Sequence, residues 1–552
     1  MNIGPASLQT IVELAMPAAF VVSLLLLWLY MRAVKRSMHR RTSPRVSQQE
    51  AALTDTPQSK PPPPPAPLQI AFADATSLRQ AHQGARRTAA VQILAGSAYA
   101  VTLAMFWWSM TGFPYKWDAI IVIALMFAWP LVIVVGLVAS VSWRGLAYVA
   151  LTYAAIMATA VAIMTARTEL SAQLFATVWY RANGLSTLIV LAFLARPIRA
   201  MGPLVSGLMI AALAGVFAIN NLMDSPETIE HIASIETSIG LRGYTGTAIV
   251  AIVVWGTPAL AAAFMCYLAL RGLGRLYRAR WISDQSLQVD AVWLVFSLSQ
   301  GISQNPSAGF AAFLAYKLVS WAGNRWLRPA AHTDVSAPRL LLLRVFSLGT
   351  RSGVLFDAFS RLWRHIGSVR MIAGPDLANA TVEPHEFLDF LAGRLQRSFI
   401  ASPDMLDRRL TELRTARDPD GRFRVASFYC HADTWQTVLR RLARQSDLVL
   451  MDLRGFSPTN EGCVFELNEL LESVPLSHIL LVVDATTDDA FLRRTLHLAW
   501  TGISAASPNR STAAPLLRLF QLDALRHGVD ALVATLIAAH PHQRRIRPAS
   551  AM

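Results

Sequence analysis

The 552-residue chain is poor in the residues that most readily betray an activity. Cysteine occurs three times, at Cys266, Cys430 and Cys463. None of these sits in a C-x-x-C spacing, so neither a disulfide framework nor a zinc site is expected. The phosphate-loop pattern GxxxxGK[ST], the dinucleotide fingerprint GxGxxG, HExxH and GxSxG are all missing. After His385-Glu386 the position a zinc motif requires is Asp389, not histidine. P-loop kinases, dinucleotide dehydrogenases, zincins and α/β-hydrolases are thereby disfavoured, and no metal or cofactor is expected. Lysine is nearly absent too: 46 of the 50 basic residues are arginine, which suggests a GC-rich bacterial genome.

Apolar residues, by contrast, are in excess. They make up 54% of the chain, and mean hydropathy is positive, which does not suit an all-soluble protein. Runs of about 20 apolar residues, the length that crosses a bilayer core, recur in the first half. The formal charge of +15 lies mostly beside these runs. From Pro338 onward there are 26 arginines and no lysine against 22 acidic residues, so that half is only about +4. Membrane topology and lipid headgroups explain such a distribution. No nucleic-acid partner is expected.

The first apolar run, Ile11 to Met31, is followed at once by Arg32, Lys35, Arg36, Arg40 and Arg41. This charge order predicts an anchor with its N-terminus outside rather than a cleaved leader. Residues 32–87 read as a cytoplasmic linker, with Pro61 to Pro65 as an extended spacer. Six further spans are expected at Thr88–Met110, Trp117–Ser140, Gly145–Ala166, Val178–Ala195, Gly202–Leu222 and Thr245–Leu270. Starting from a cytoplasmic linker, this alternation places Arg86, Arg87, Arg144, Arg196, Arg199 and the run from Arg271 to Arg280 inside. Within the spans, Arg181 and Asn183 are the polar exceptions, and Pro130 and Pro258 read as packed kinks. A transporter or channel would need more than this. Residues 271–337 add a basic segment and a helical hairpin on or in the inner leaflet, built on Ala291–Leu298 and Phe310–Trp321.

Beyond Pro338 the pattern changes to short apolar strands alternating with amphipathic helices. Strands are predicted at Leu340–Phe346, Val369–Ala373, Leu448–Leu453, His478–Val483 and Leu516–Gln521. Helices are predicted at Gly353–Ile366, Pro384–Phe399, Ala432–Arg444, Cys463–Ser473, Asp488–Trp500 and Ala524–Ala538, with 383–424 an insertion and 541–552 a basic tail. The expected fold is thus a membrane α-helical half of about seven spans, followed by a cytoplasmic α/β domain (338–540) with a five-stranded parallel sheet.

Chemistry is most plausible at SDLVLMDLRGFSPTNEGCVFEL, residues 446–467. It reads as a buried strand, a polar loop and a helix start, which places side chains at the ligand-binding edge of an open sheet. Ser457-Pro458 in the loop and Cys463, Glu466 and Leu467 in the helix resemble the Toll/interleukin-1-receptor-like (TIR) domains. RVFSLGTRSGVLFDAF resembles that family's first strand and loop. Gly462 stands where the family has tryptophan; with Glu466 it also resembles the nucleoside 2-deoxyribosyltransferases, whose helix opens Gly-x-x-x-Glu. Both families use a flavodoxin-like fold and a glutamate that acts on an N-glycosidic bond.

The resemblance implies Glu466 as the catalytic candidate. Arg351, Asp376, Arg454, Ser457 and Gly462 would be ligand contacts. It further implies an NAD-like nucleotide ligand, or self-association through the α/β domain, as alternatives on one fold. A glutamate in a first helical turn is also favoured by the helix dipole alone. Asp433 is expected to cap the helix after His431, and Asp484 and Asp488 a later one.

Overall fold

The computed structural model describes residues 5–38, 65–72, 79–112, 114–139, 143–167, 171–193, 244–303, 306–326, 337–345, 350–373, 384–413, 417–522 and 525–539, with isolated positions between 205 and 240. The chain divides into two compact units. The first comprises Met1–Leu29, Ala89–Trp326 and Val382–Ala392; the second comprises Tyr30–Thr88, Leu327–Thr381 and Gly393–Met552.

The first unit is helical. Its elements are α1 (Pro5–Met38, whose last residues belong to the second unit), α2 (Arg79–Met110, whose first residues do likewise), α3 (Trp117–Phe127) and α4 (Pro130–Val138). There follow α5 (Trp143–Arg167), α6 (Ala172–Phe193), α7 (Tyr244–Arg278), α8 (Asp284–Ser303) and α9 (Pro306–Trp326). Among the described residues, three helices are long and apolar enough to cross a membrane: Gln83–Met110, Arg144–Arg167 and Ala172–Phe193. The bent pair α3–α4 makes a fourth if it counts as one span. Seven spans were expected, so the count is corrected downward.

One reason for the difference is local. Trp117–Ser140 is not one rod, because Pro130 lacks a donor and crowds the residue before it. The chain bends there by 50°. Another reason is coverage. Gly202–Leu222 lies outside the described residues, as do the side chains over the first part of Thr245–Leu270. Asn183 is not a vacant polar site either, since its Nδ2 donates to the carbonyls of Met126 (3.0 Å) and Trp179 (3.3 Å). The expected hairpin is present as α8 and α9, longer than its apolar cores. It is held by Trp293 packed between Tyr99 (4.6 Å between ring centres) and Tyr316 (5.3 Å).

The second unit is built on a parallel sheet of eight strands, not five. They are β1 (Gln69–Phe72), β2 (Arg339–Arg344), β3 (Ser368–Ala373), β4 (Phe399–Ile400), β5 (Val425–Cys430), β6 (Leu448–Asp452), β7 (Ile479–Val483) and β8 (Leu516–Gln521). The helices are α10 (Thr350–Trp363), α11 (Pro384–Leu391), α12 (Pro403–Glu412), α13 (Trp435–Arg444), α14 (Glu461–Ser473), α15 (Asp489–Thr501) and α16 (Leu525–Ala539). The strand order is β1-β8-β7-β6-β2-β3-β5-β4. The five strands predicted from sequence are all present and form the interior run β3-β2-β6-β7-β8. That is the order of a doubly wound sheet, whose direction of progression reverses between β2 and β6.

The three additional strands were hidden for separate reasons. β5, Val-Ala-Ser-Phe-Tyr-Cys, begins directly after the supposed insertion, and β4, inside it, has only two residues. β1 comes from the linker, immediately after the proline run, and pairs with β8 from Gln69↔Leu516 to Phe72↔Leu519. The predicted helix Pro384–Phe399 stops at Leu391, because Gly393 turns the chain at φ +68°. That short helix, α11, belongs to the first unit, where Leu388 packs with Tyr277 and Leu287 and Asp389 meets Arg278 at 3.6 Å.

Each inner strand is apolar on both faces, as a covered parallel sheet requires. Alternate residues divide accordingly. Leu341, Leu343, Val449, Met451 and Leu481 pack under α13, α14 and α15. Leu340, Leu342, Leu448, Leu450 and Leu480 pack under α10 and α16. The entry to β3 is a tight crossing: a Cβ on Gly367 would lie 2.2 Å from the Pro338 carbonyl oxygen, which already accepts from Ser368 N at 3.1 Å. Because the obstacle is backbone, Gly367→Ala is expected to cost about 2–3 kcal/mol. Faster hydrogen exchange in β2 and β3 would register it, and unchanged exchange there would show that the crossing can relax.

Candidate functional site

The strand order reverses between β2 and β6, and the carboxyl ends of such neighbours are where open α/β sheets hold their ligand sites. The last residues of β2 and β6, Arg344 and Asp452, are register partners, and both are buried. Just past β6 the chain returns Arg454 onto Asp452. Arg454 Nε and Nη2 each reach a different carboxylate oxygen at 2.8 Å, a two-pronged geometry that only a guanidinium provides. Both side chains are 4% exposed. Burial opposes the Arg454 cation, but the hydrogen bonds and charge of Asp452 outweigh it and leave the pKa raised.

The Arg454 guanidinium extends further. Its Nη2 also donates to the Arg351 carbonyl at 3.3 Å. The Arg351 side chain, about half exposed, reaches Asp484 at the end of β7 at 2.9 Å. A chain of charges thus lies across the ends of three adjacent strands: Arg344 on β2, Asp452 with Arg454 on β6, and Asp484 with Arg351 on β7.

Glu466 enters this cluster from α14. The helix presents Cys463, Leu467, Leu470 and Leu471 to the core, and Glu466 falls on the same stripe. Its carboxyl is buried to 1% exposure, and Oε2 has no hydrogen-bond partner. Burial raises its pKa from 4.5 to about 8, and the positive charge of Arg344 partly opposes the rise. At neutral pH the group is therefore mainly the uncharged acid. A helix-dipole role alone would leave it exposed, hydrogen-bonded to the first-turn amides and ionised. The observed placement is different: a carboxylic acid set in the core beside an arginine. Strongly shifted acids of this kind concentrate at functional sites.

The other sequence-level candidates separate. Arg351 and Arg454 are brought to the cluster. Ser457 is not, because its loop closes on itself. Ser457 N and Oγ both donate to Asn460 Oδ1 (2.9 and 3.1 Å), and Gly455 makes the turn at φ +70°. Gly462 is the second residue of α14, and a Cβ there would meet nothing within 4 Å. Asp376 lies outside the described residues. Asp488 caps α15 as expected, accepting from Phe491 N at 2.9 Å. Thr434 rather than Asp433 precedes the first residue of α13.

Sequence reading missed Arg344 altogether. Its signal was a lone arginine ending the run Leu340–Leu343, where a fully covered strand ought to continue apolar.

No family model, curated protein or solved structure matches the chain. What the cluster can do must be argued from its own groups. It offers one acid poised between charge states, the Arg344 cation beside it, and an uncrowded helix start.

Proposed function

We propose that the chain is a multi-pass protein of a bacterial inner membrane, with its N-terminus periplasmic and a cytoplasmic, TIR-like α/β unit. In this reading it is a signalling or defence effector that breaks the N-glycosidic bond of an NAD-type nucleotide. The apolar helices are compatible with membrane insertion, and the arginine flanks favour the orientation. The observation that carries the activity is Glu466: a buried carboxyl with an unpartnered oxygen, at the order-reversal edge of the sheet.

The chemistry suits that group. As the bond from ribose to a pyridinium base lengthens, the base leaves with the bonding electrons and the sugar carbon becomes cationic. A carboxylate beside that carbon stabilises the cation, water adds to it, and a proton is released. A cationic substrate entering next to Glu466 would favour its ionised form, turning the stored acid into the carboxylate the step needs. Arg351, about half exposed, would be the cation to meet phosphate oxygens, with Arg344 joining it once the site opens. Because Glu466 is covered in the arrangement seen, the crevice must open before a nucleotide can reach it.

The test uses the full chain in lipid nanodiscs, both dispersed and clustered, incubated with NAD. Glu466→Gln is expected to lower turnover by at least about 10²-fold. Absence of turnover by the clustered wild type would overturn the reading. The same closure of Glu466 favours a second reading, a membrane scaffold that works by self-association through the α/β unit. This reading predicts assembly that Glu466→Gln leaves intact.

A further inference from the structure

A second group of charges lies at the amino ends of the strands, the edge of the sheet opposite to Arg344, Asp452 and Glu466. β2 opens on Arg339, and Arg370 is the third residue of β3. Arg339 pairs in register with Ser368, and Arg370 with Leu341 on one side and Ala426 on the other. Side chains alternate along a strand, so both arginines share the face on which Leu341 and Ile372 pack under α13, α14 and α15. At this diagonal spacing long side chains on adjacent strands reach each other.

The charges at this edge do not balance. Asp447, just before β6, is engaged by Arg339 through both oxygens. Its Oδ2 accepts from Arg339 N (2.8 Å) and Nε (3.0 Å), and its Oδ1 from Nη2 (2.8 Å). On the other flank, Arg424 precedes β5, and its Nε donates to both oxygens of Asp418 at 2.9 and 2.8 Å. Arg370 stands on the strand between β2 and β5. It is 6% exposed, and among the described residues its Nη1 has no hydrogen-bond partner. Burial lowers its pKa, the charge of Arg339 lowers it further, and Asp447 offsets only part of this.

An arginine cannot relieve such a position by giving up its proton. A buried cation with an unmade hydrogen bond is costly to keep, and an apolar side chain would fill the same place more cheaply. What the position lacks is an anion.

We infer that Arg370 and Arg339 form a binding site for a phosphate group, separate from the cluster around Glu466. A guanidinium presents parallel N–H donors that match two oxygens of a phosphate. Asp447 already supplies the one carboxylate, and two guanidinium groups arriving from adjacent strands suit an anion with more oxygens. Arg339, whose side chain is 38% exposed, marks the side from which the group enters. A soluble phosphate ester and the headgroup of an anionic lipid both offer this chemistry. The inference stands apart from nucleotide turnover.

The test uses the full chain in phosphatidylcholine nanodiscs, titrated with inorganic phosphate at constant ionic strength, beside nanodiscs that carry phosphatidic acid. Hydrogen exchange in β2 and β3 is the readout. Phosphate at about ten times its dissociation constant is expected to slow wild-type exchange there about 11-fold. Arg370→Met is expected to abolish that slowing. Without any anion it is expected to exchange more slowly than wild type, because the uncompensated charge has gone. Arg370→Lys keeps the charge without the fork, and its slowing is expected to be smaller than that of wild type. Arg351→Met, at the other edge of the sheet, is expected to leave the slowing intact. Protection in phosphatidic acid nanodiscs without added phosphate assigns the site to a lipid headgroup, and protection by inorganic phosphate alone assigns it to a soluble ester. Equal protection of wild type and Arg370→Met overturns the site, and so does protection by neither source.

Discussion

Asp452→Ala is expected to destabilise the α/β unit by about 3–5 kcal/mol, among the largest effects of any single side-chain truncation there. The size follows from what remains behind. Arg454 is 4% exposed and donates two 2.8 Å hydrogen bonds to this one carboxylate. Without Asp452, the guanidinium keeps the Arg351 carbonyl and the more distant charge of Asp484. Neither offsets the desolvation of a full charge. Asp452→Asn retains an acceptor but not the charge, and is expected to fall between wild type and alanine. Removing both charges, as Asp452→Leu with Arg454→Met, is expected to recover most of the loss, since a buried ion pair contributes little against a well-packed apolar substitute. Hydrogen exchange in β2 and β6 measures all three variants locally. A loss below about 1 kcal/mol for Asp452→Ala would mean the pair is solvated in solution, and the cluster would lose its rigid centre.

How much of this was legible beforehand depended on whether a signal was local. The five interior strands were legible because continuous apolar runs such as Leu448–Asp452 leave no alternative for a strand covered on both faces. β1 was not, because Gln69–Phe72 follows a proline run and carries no periodicity of its own. Its partner is fixed by a ladder to Leu516–Leu519, far along the chain. β5 was missed in favour of an insertion, although Val425–Cys430 is rich in aromatic and β-branched residues. At the site, the spacing of Cys463, Glu466 and Leu467 placed the glutamate on α14 correctly. Spacing could not show whether it faced water or core; that depends on the stripe it shares with Leu470 and Leu471. Among the described residues, the expected span Trp117–Ser140 differs for a similar reason. Hydropathy sums over Trp117–Ser140 without registering the bend that Pro130 imposes.

Glu466 should make folding of the α/β unit depend on pH in the direction opposite to that of an ordinary salt-bridged carboxylate. In the folded chain its pKa is about 8, against an ordinary glutamate value of 4.5. Between these values the folded chain holds a proton that the unfolded chain has released, so folding takes up a proton. The contribution to stability is full below about pH 4.5 and is lost as pH rises through about 8. The slope approaches 1.4 kcal/mol per pH unit, and the whole difference is of order 5 kcal/mol. Other carboxylates impose their own slopes, so the informative quantity is wild type minus Glu466→Gln. Glutamine stays neutral at every pH. The two proteins are expected to agree within about 1 kcal/mol near pH 4.5, with the variant more stable by several kcal/mol above pH 8. Arg344 opposes the shift, so Arg344→Met is expected to extend the loss of stability to higher pH and enlarge the total difference, with no change in limiting slope. Denaturant midpoints across pH 4 to 9 decide the matter. Parallel curves for wild type and Glu466→Gln would show that the carboxyl reaches water, and Glu466 would then be an ordinary solvated carboxylate in the second turn of α14. Diverging curves would show that the chain stores an acid whose ionisation works against its own fold. Such a group is ready to become a carboxylate when the crevice opens or a cation arrives, and that readiness is what cleavage of a pyridinium–ribose bond would use.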